Sequence, residues 1–222
     1  MTTALLAYQS ALLLRSQRWL APVVLYAAFV AIGVQGGQPV LDSLGYAAAS
    51  LLPVGAWLVR ICVSNEPPAA RGCTAAATAP WRAHLASLVT GFLATAVLGA
   101  VATVVVALIS DGASTNHELK VAVVPAAGAG LLAMLVCALV GAAVGAVTTW
   151  PVLRAPGLGI AALLLCALLA LVVPGSPASA AVTALIEGSQ RGAIPLPLLP
   201  LAASALLAAA CGAAACHLSS RR

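Results

Sequence analysis

Charged side chains are scarce in this sequence. Asp, Glu, Lys and Arg make up only 7% of its 222 residues, and hydrophobic residues make up 63%. Soluble domains carry about 25% charged residues, so a water-soluble fold of this size is excluded. With roughly 20 residues needed for each helix that crosses a bilayer, the chain has room for about five to seven such helices. It has no room for an additional soluble domain.

Lysine is nearly absent, since Lys120 is the only one. A phosphate-binding P-loop needs a G-x-x-x-x-G-K-[ST] motif whose lysine contacts phosphates, and Lys120 follows Leu119 rather than a glycine. The chain therefore encodes no ATP site of this kind. If it moves a substrate against a gradient, a separate subunit must supply the energy. The arginines stand in ones and twos rather than along one stripe, which argues against a nucleic-acid partner.

Ionisable residues are missing from the apolar runs, apart from Arg60 near the end of one of them. Ion-driven transporters and membrane-embedded proteases need such residues at membrane depth. No set of acid, base, nucleophile and metal ligand converges in the sequence. We therefore expect no enzyme activity from this chain by itself and no cofactor bound to it. His84, His117 and His217 stand at the edges of apolar runs, where we expect them to be solvated or to face lipid headgroups.

The six cysteines show no Cys-x-x-Cys spacing and lie mostly inside apolar runs. Neither a disulfide framework nor a zinc site is predicted, and we interpret these cysteines as small buried hydrophobic residues. His117 lies near Asp111 and Glu118, but no second histidine or cysteine is close in sequence, so no metal site is predicted there. Cys73 is the exception among the cysteines. It lies in a polar stretch, and we expect it to be exposed.

The apolar runs predict an all-α polytopic membrane protein with a single transmembrane domain. Residues 3–17 place leucines on one broad face and polar residues elsewhere, which is typical of an amphipathic helix on the membrane surface. Residues 174–193 are too polar for a span, and we expect a short helix over residues 180–186 at the membrane surface. The six predicted spans cover about residues 19–34, 44–63, 85–110, 121–150, 158–173 and 194–216.

Basic residues indicate the orientation, because loops rich in Arg and Lys stay in the cytosol. If the N-terminus is cytosolic, the inner segments contain Arg15, Arg18, Arg60, Arg71, Arg82, Arg154, Arg221 and Arg222. The outer segments then contain Lys120, Arg191, Asp42, Asp111, Glu118 and Glu187. This asymmetry predicts both termini in the cytosol. The alanine-rich composition and the preference for Arg over Lys suggest a bacterial inner membrane.

The longest polar interruption covers residues 64–85, between the second and third apolar runs. Its charged and aromatic side chains are Glu66, Arg71, Trp81, Arg82 and His84, and little else in the sequence could bind a soluble partner. We expect a short helix over residues 68–79, ended ahead of Pro80 because the residue before a proline disfavours helical angles. That helix would present Arg71 and an alanine-rich face to a groove on a soluble protein, and Trp81 would anchor it at the interface. Taken alone, the stretch also fits a loop that only fixes topology.

Two glycines in the fourth apolar run predict a packing contact. Gly141 and Gly145 form a G-x-x-x-G motif, which lets a second helix approach closely. We expect the motif to mediate helix packing, either within this chain or between two membrane subunits.

The order of these features resembles the membrane subunits of type-2 ABC exporters. Both have an interfacial N-terminal helix, six spans, a long basic loop between the second and third spans, and a broken outer segment between the fifth and sixth. In that family the loop typically carries a glutamate, a glycine, and a proline with a basic residue just beyond. Glu66, Gly72, Pro80 and Arg82 stand in that order here, with Asn65 where the family usually has a basic residue.

The resemblance implies a function for two segments. The 64–84 loop would couple the chain to a separate ABC ATPase subunit, which would bind ATP and Mg²⁺, and residues 174–193 would form an extracellular gate. The implied coupling residues are Glu66, Arg71, Gly72, Pro80, Trp81 and Arg82, and the implied gate residues are Pro177 and Glu187. A second permease subunit, identical or different, is implied as well. Because the spans are polar only through Ser and Thr, we expect the cargo to be a peptide, a lipid or another amphipathic compound.

Two alternatives stay open. A subunit resembling the haem exporter of cytochrome c maturation has a similar length and six spans, although no histidine-bearing or tryptophan-rich outer motif is present here. A membrane scaffold without transport activity would have the same composition. Co-purification with an ATPase subunit separates a transporter from a scaffold.

Overall fold

The computed structural model describes residues 2–153 and 155–221. Arg154 and Arg222, which the charge pattern places on the cytosolic side, lie outside them. Within the described ranges the chain is helical, without a named strand and with two isolated β-bridges. The predicted all-α class is therefore confirmed. The helices are α1 (Thr2–Ser16), α2 (Leu20–Gly33), α3 (Val40–Asn65), α4 (Pro68–Thr78), α5 (Pro80–Ile109), α6 (Val123–Val147), α7 (Pro156–Val172), α8 (Pro177–Arg191) and α9 (Leu198–Ser220).

Four helices are long and apolar enough to cross a membrane, namely α3, α5, α6 and α9. Two bent pairs meet the same test when each pair is counted as one span: α1 with α2, bent by 74°, and α7 with α8, bent by 44°. The described residues thus contain four to six candidate spans. α2 alone has 14 residues. At 1.5 Å per residue that is about 21 Å, shorter than the roughly 30 Å hydrocarbon core.

Prolines and an acidic residue in the first turn determine where several helices begin. α3 starts at Val40 rather than near residue 44, and Asp42 in its first turn interacts favourably with the helix dipole. α5 starts at Pro80 rather than near residue 85, with the proline at the helix start, where its missing N–H costs nothing. α9 starts only at Leu198, after the last of two closely spaced prolines, Pro197.

α3 forms the centre of the bundle. Leu44, Leu51 and Leu58, spread along its length, are almost completely buried. Glycines of α5 and α6 bring the neighbouring backbones close to it. A Cβ atom on Gly91 of α5 would lie 2.7 Å from the Cα atom of Val59, so the helices could not approach this closely with a side chain there.

The G-x-x-x-G motif of α6 packs against α3 of the same chain. A Cβ atom on Gly141 would lie 2.7 Å from the carbonyl oxygen of Leu52, and one on Gly145 would lie 2.8 Å from the Cβ atom of Val59. The motif is therefore used within the chain, which is one of the two arrangements that the sequence predicts.

α5 and α9 leave much of their apolar surface uncovered. In the most apolar 18-residue stretch of each helix, only 28% of α5 and 11% of α9 is buried inside the chain. Val97, Val101, Leu199 and Leu206 are examples of large exposed side chains on them. In a bilayer, these faces contact lipid or another membrane protein.

The bundle has two ends, which we name after the short helix at each. At the α4 end, the C-terminal end of α3 meets α1, α4 and the start of α5. The side chain of Asn65 donates to the carbonyl of Leu12 in α1, and Arg60 donates to the carbonyl of Thr148, just after α6. This contact places a positive charge at the C-terminal end of α6, where the helix dipole favours it.

At the α8 end, the start of α3 meets α8 and the segment 110–121. The backbone N–H of Val40 donates to the carbonyl of Asp111 at 3.0 Å. The hydroxyl of Thr115 lies within hydrogen-bond distance of both the Asp42 carboxylate and the Ser189 hydroxyl. Residues near the outer loops of the predicted topology thus gather at one end.

The outer segment differs from the sequence prediction. A short surface helix over residues 180–186 is wrong, because α8 runs from Pro177 to Arg191 and packs into the bundle. Ala178, Ala181 and Leu185 recur every three or four residues and are fully buried, which forms the apolar stripe of a packed helix. Ser176 caps its start by accepting from the backbone N–H of Ser179.

Candidate functional site at the α4 end

α4 lies on the outside of the bundle. Pro68 begins it, Thr78 ends it, and the positive φ of Ala79 (133°) breaks the chain before Pro80 starts α5. These bounds lie within one residue of the predicted 68–79. The helix has no buried residue, and Gly72 and Cys73 are exposed. An 11-residue helix of this kind is too short to be stable alone in water, so its contacts with the bundle hold it.

Glu66, just before α4, is buried rather than exposed, with a relative solvent accessibility of 6%. Its carboxylate accepts from the Gln9 side-chain amide at 3.3 Å and from the Thr74 hydroxyl at 3.1 Å. Gln9 is itself buried in α1. One carboxylate therefore joins α1, the end of α3 and α4, and it does not face solvent.

Arg71 corrects a prediction. The sequence predicts that α4 presents it to a partner protein, but its Nη2 donates to the carbonyls of Val63 at 2.8 Å and Glu66 at 3.2 Å. Its guanidinium carbon lies 4.8 Å from the centre of the Trp150 ring, within the range of a cation–π interaction. The short distance along the chain to the last turn of α3 lets the side chain fold back on the bundle.

His84 lies in the first turns of α5 and is also buried, at 6% relative accessibility. The expectation that it is solvated or faces headgroups is wrong for this arrangement. Its ring meets Trp150 edge to face, with centroids 5.8 Å apart. Trp150 thus lies between Arg71 and His84 and links the segment after α6 to α4 and α5.

These residues surround a cavity of about 540 Å³, which we name the α4 cavity. The end of α3, α4, the start of α5 and the end of α9 line it, and it is open on one side. Its lining comprises Val63, Glu66, Pro68, Arg71, Gly72, Ala75, Pro80, Ala83, His84, Ser87, Trp150 and Ser219. The structure thus brings four predicted coupling residues, Glu66, Arg71, Gly72 and Pro80, into one site.

Trp81 and Arg82 lie beside the cavity on the outer surface. Both are exposed, and the Arg82 guanidinium lies 5.1 Å from the Trp81 ring centre. Unlike Arg71, Arg82 can reach a partner protein without leaving a contact inside the bundle. The exposed surface of this site therefore includes Gly72, Cys73, Trp81 and Arg82.

The predicted gate residues lie at the opposite end. Pro177 begins α8, and Glu187 forms an exposed ion pair with Arg191 at 3.4 Å. Exposed pairs of this kind contribute little to stability. Glu187 is separated from the coupling residues by most of the length of α3, because Ser189, two residues later, contacts Thr115 beside Asp42 at the start of α3.

Sequence reasoning missed the partners that turn the coupling residues inward. Gln9 stands 57 residues from Glu66 in sequence, and Trp150 follows a different span. No spacing signal connects either residue to the loop. Among the described residues, no group of three His, Cys, Asp or Glu side chains is placed to hold a metal ion.

Comparisons of the chain with protein-family models, with curated proteins and with solved structures found no match.

Proposed function

We propose that this chain is the membrane subunit of an ATP-driven exporter and that α4 is its contact with a separate ATPase subunit. The observation that carries the proposal is a helix with no buried residue that hydrogen bonds and a cation–π contact, partly or fully buried, join to three parts of the bundle. A loop that served only to fix topology would need a positive charge but no such connections.

The contacts of α4 make it suitable for transmitting motion. Arg71 joins it to the last turn of α3 and to Trp150, which follows α6. Thr74 joins it through Glu66 to α1. A push on α4 would therefore move the central helix α3 and its neighbours together, since packed helices transmit strain.

The bundle is suited to a weakly polar cargo. Thr90, Thr95 and Thr103 of α5 donate to backbone carbonyls one turn earlier, so they offer little polarity to a path. We propose an amphipathic, peptide or lipid-like cargo and a second membrane subunit, identical or different, beside the uncovered faces of α5 and α9.

A photo-crosslinking experiment tests the proposal. A benzophenone group attached to Cys73 should crosslink to a protein that also labels with azido-ATP, in membranes of the native host. As a matched control, the same group attached to Gln190→Cys in a Cys73→Ala background should give no such product, since Gln190 lies on α8 at the other end. If no ATP-binding protein crosslinks to Cys73, the chain has no ATPase partner at α4 and is better explained as a scaffold.

A further inference from the structure

A groove runs along the outer side of the bundle, where the α1–α2 pair lies against α5. Its lining includes Leu13, Leu14 and Trp19 on one side and Leu93, Val97 and Val101 on the other, and its volume is about 390 Å³. We name it the α1–α2 groove. The lining hydroxyls of Ser10 and Thr90 donate to backbone carbonyls of their own helices. The groove therefore presents a mainly apolar surface.

The position of the groove along α5 places it in the hydrocarbon layer. Thr90 stands 19 residues before Ile109, the last residue of α5, which is about 29 Å along the helix. The hydrocarbon core of a bilayer is roughly 30 Å thick. If Ile109 lies at one surface of this core, Thr90 lies at the other, and Val97 and Val101 lie inside it. Their exposure of 64% and 56% leaves the groove open to lipid chains.

The elbow between α1 and α2, residues 17–19, lies at the end of the groove that is nearest the headgroups. Leu13, four residues before the elbow, packs with Ile61 near the C-terminal end of α3. Two residues earlier in α3, Val59 lies against Gly91 of α5, which is the residue after Thr90. The elbow therefore stands at about the level at which the hydrocarbon core begins.

Two arginines flank this elbow. Arg15 follows Leu14 and Arg18 precedes Trp19, and both arginine side chains are exposed. Leu14 and Trp19 line the groove, and the Trp19 indole N–H donates to the carbonyl of Leu14 at 3.4 Å. Among the described residues, no carboxylate forms an ion pair with either guanidinium group. The mouth of the groove therefore carries two positive charges that no acid compensates.

The groove has the width of a single hydrocarbon chain. Its α5 lining runs from Thr90 to Val101, which is about 16 Å along the helix. A volume of about 390 Å³ over that length corresponds to a slot about 5 Å wide. An extended acyl chain is one carbon wide and keeps its neighbours at about 4 Å. A helix with its side chains is about 10–12 Å across, so a helix would cover the groove without filling it.

We propose that the α1–α2 groove binds an anionic membrane phospholipid. One acyl chain lies in the groove along α5, and the phosphate accepts from Arg15 and Arg18 at the elbow. The chain of a zwitterionic phospholipid fits the groove equally well, but its ammonium group meets two arginines and no acid. Each arginine near the membrane surface contributes about fivefold to the affinity for an anionic lipid. The groove thus holds the chain, and the elbow selects the charge of the headgroup.

This site is separate from the two protein contacts proposed above. It does not include α4, and the α5 residues that border α9, such as Leu88 and Phe92, differ from those that line the groove. A bound lipid therefore leaves both contacts open, and the test of lipid binding is independent of the proposed transport function.

Native mass spectrometry of the purified chain in detergent, without an ATPase subunit, tests the proposal. Phosphatidylglycerol should bind more tightly than phosphatidylethanolamine with the same acyl chains. Arg15→Gln and Arg18→Gln should each weaken the binding of phosphatidylglycerol about fivefold and leave that of phosphatidylethanolamine nearly unchanged. Arg221→Gln is the matched control, because Arg221 is an exposed arginine at the same end of the bundle and outside the groove. This control should bind both lipids like the parent.

A second pair of variants tests the groove itself. Val97→Trp should fill the slot and weaken both lipids to the same degree, by about tenfold or more, because the acyl chain loses its buried apolar contacts. Val104→Trp is the matched control. Val104 stands two turns further along α5, has a similar exposure of 59%, and does not line the groove, so this variant should bind both lipids like the parent.

Two results would overturn the proposal. The first is equal affinity of the parent chain for the two lipids, or a preference for phosphatidylglycerol that survives when Arg15→Gln and Arg18→Gln are combined. The second is binding of both lipids by Val97→Trp as tightly as by Val104→Trp, which would leave the groove to a protein partner.

Discussion

Individual glycines of one helix face very different surroundings in this protein. Gly141 of α6 lies against the backbone of α3, whereas Gly128 of the same helix has nothing within 4 Å of the position of a Cβ atom. Both are glycines in an apolar run, and only the packing of α6 distinguishes them. The effect of adding a methyl group should therefore differ in sign between the two positions.

We predict that Gly141→Ala destabilises the protein and Gly128→Ala does not. The added Cβ at position 141 would lie 2.7 Å from the Leu52 carbonyl oxygen, and overpacking of this kind costs about 1–3 kcal/mol. At position 128, alanine should be neutral or stabilise by up to about 1 kcal/mol through helix propensity. Thermal unfolding of the purified variants in detergent measures both. Equal shifts for the two variants would show that Gly141 is not a packing contact.

The sequence predicts whether a single side chain is exposed only where no residue from a distant segment packs against that side chain. Among the six cysteines Cys73 is the exposed one, as its polar surroundings predict. Arg71 and His84 have surroundings just as polar in sequence, yet both turn inward because Trp150, from a distant segment, lies between them. Their orientation depends on tertiary packing that no local pattern encodes.

At the scale of elements, the sequence predicts where a helix begins or ends when a proline or a polar run stands at that position. α4 ends before Pro80 as expected, and the long apolar runs are helices. The predicted length of α8 was too short because the exposed face of this helix is polar. Its buried side shows in the sequence only as the spacing of three to four residues between Ala178, Ala181 and Leu185. The position of α3 at the centre was not predicted, although α3 is the least apolar of the four long helices.

We predict that Arg71→Ala loosens α4 and that Arg82→Ala does not. Arg71 loses hydrogen bonds to Val63 and Glu66, and hydrogen bonds of charged groups are worth about 1.5–3 kcal/mol. Because the side chain is half-buried, we expect roughly tenfold faster amide exchange across residues 68–78, which corresponds to about 1.4 kcal/mol.

Hydrogen exchange with mass spectrometry measures this opening. Arg82 is the matched control, because it is exposed and its guanidinium lies against the exposed Trp81 ring rather than inside the bundle. If Arg71→Ala leaves the exchange of α4 unchanged, Arg71 does not hold this helix on the bundle.

At the scale of the whole molecule, replacing the buried Glu66 and replacing the exposed Arg82 should impair the complex in different ways. Both Glu66→Ala and Arg82→Ala should insert into the membrane normally, because the other basic residues keep the charge asymmetry. We predict that Arg82→Ala weakens ATPase binding about fivefold or less, as expected of an exposed charge. Glu66→Ala should instead retain binding but uncouple ATP hydrolysis from transport, because it detaches α1 from α4.

Reconstituted complexes, assayed for subunit binding, ATP hydrolysis and transport, distinguish these effects. Full binding and full transport by both variants would show that neither residue couples the two subunits, and α4 would then be only a topological anchor.

The two ends of the bundle differ in charge. Among the described residues, the charged ones at the α4 end include Arg15, Arg18, Arg60, Glu66, Arg71, Arg82 and Arg221, and those at the α8 end include Asp42, Asp111, Glu118, Lys120, Glu187 and Arg191. Loops rich in Arg and Lys are retained in the cytosol, whereas acids contribute little to orientation. In the sequence these charged residues are spread along the chain. In the structure most of the arginines lie together at the α4 end and most of the acids at the α8 end, so the charge asymmetry distinguishes the two end surfaces.

The last prediction follows from this asymmetry and concerns the sidedness of the bundle. A membrane-impermeant maleimide should not label Cys73 in spheroplasts and should label it in inside-out vesicles, because Cys73 is the exposed cysteine at the α4 end. Asn116→Cys in a Cys73→Ala background should show the reverse pattern, since Asn116 is exposed in the segment next to α8. The Cys73→Ala chain alone measures labelling of the other five cysteines, which are buried or half-buried. Labelling of Cys73 in spheroplasts would place the α4 end outside the cell, and an ATPase subunit in the cytosol could then not reach α4.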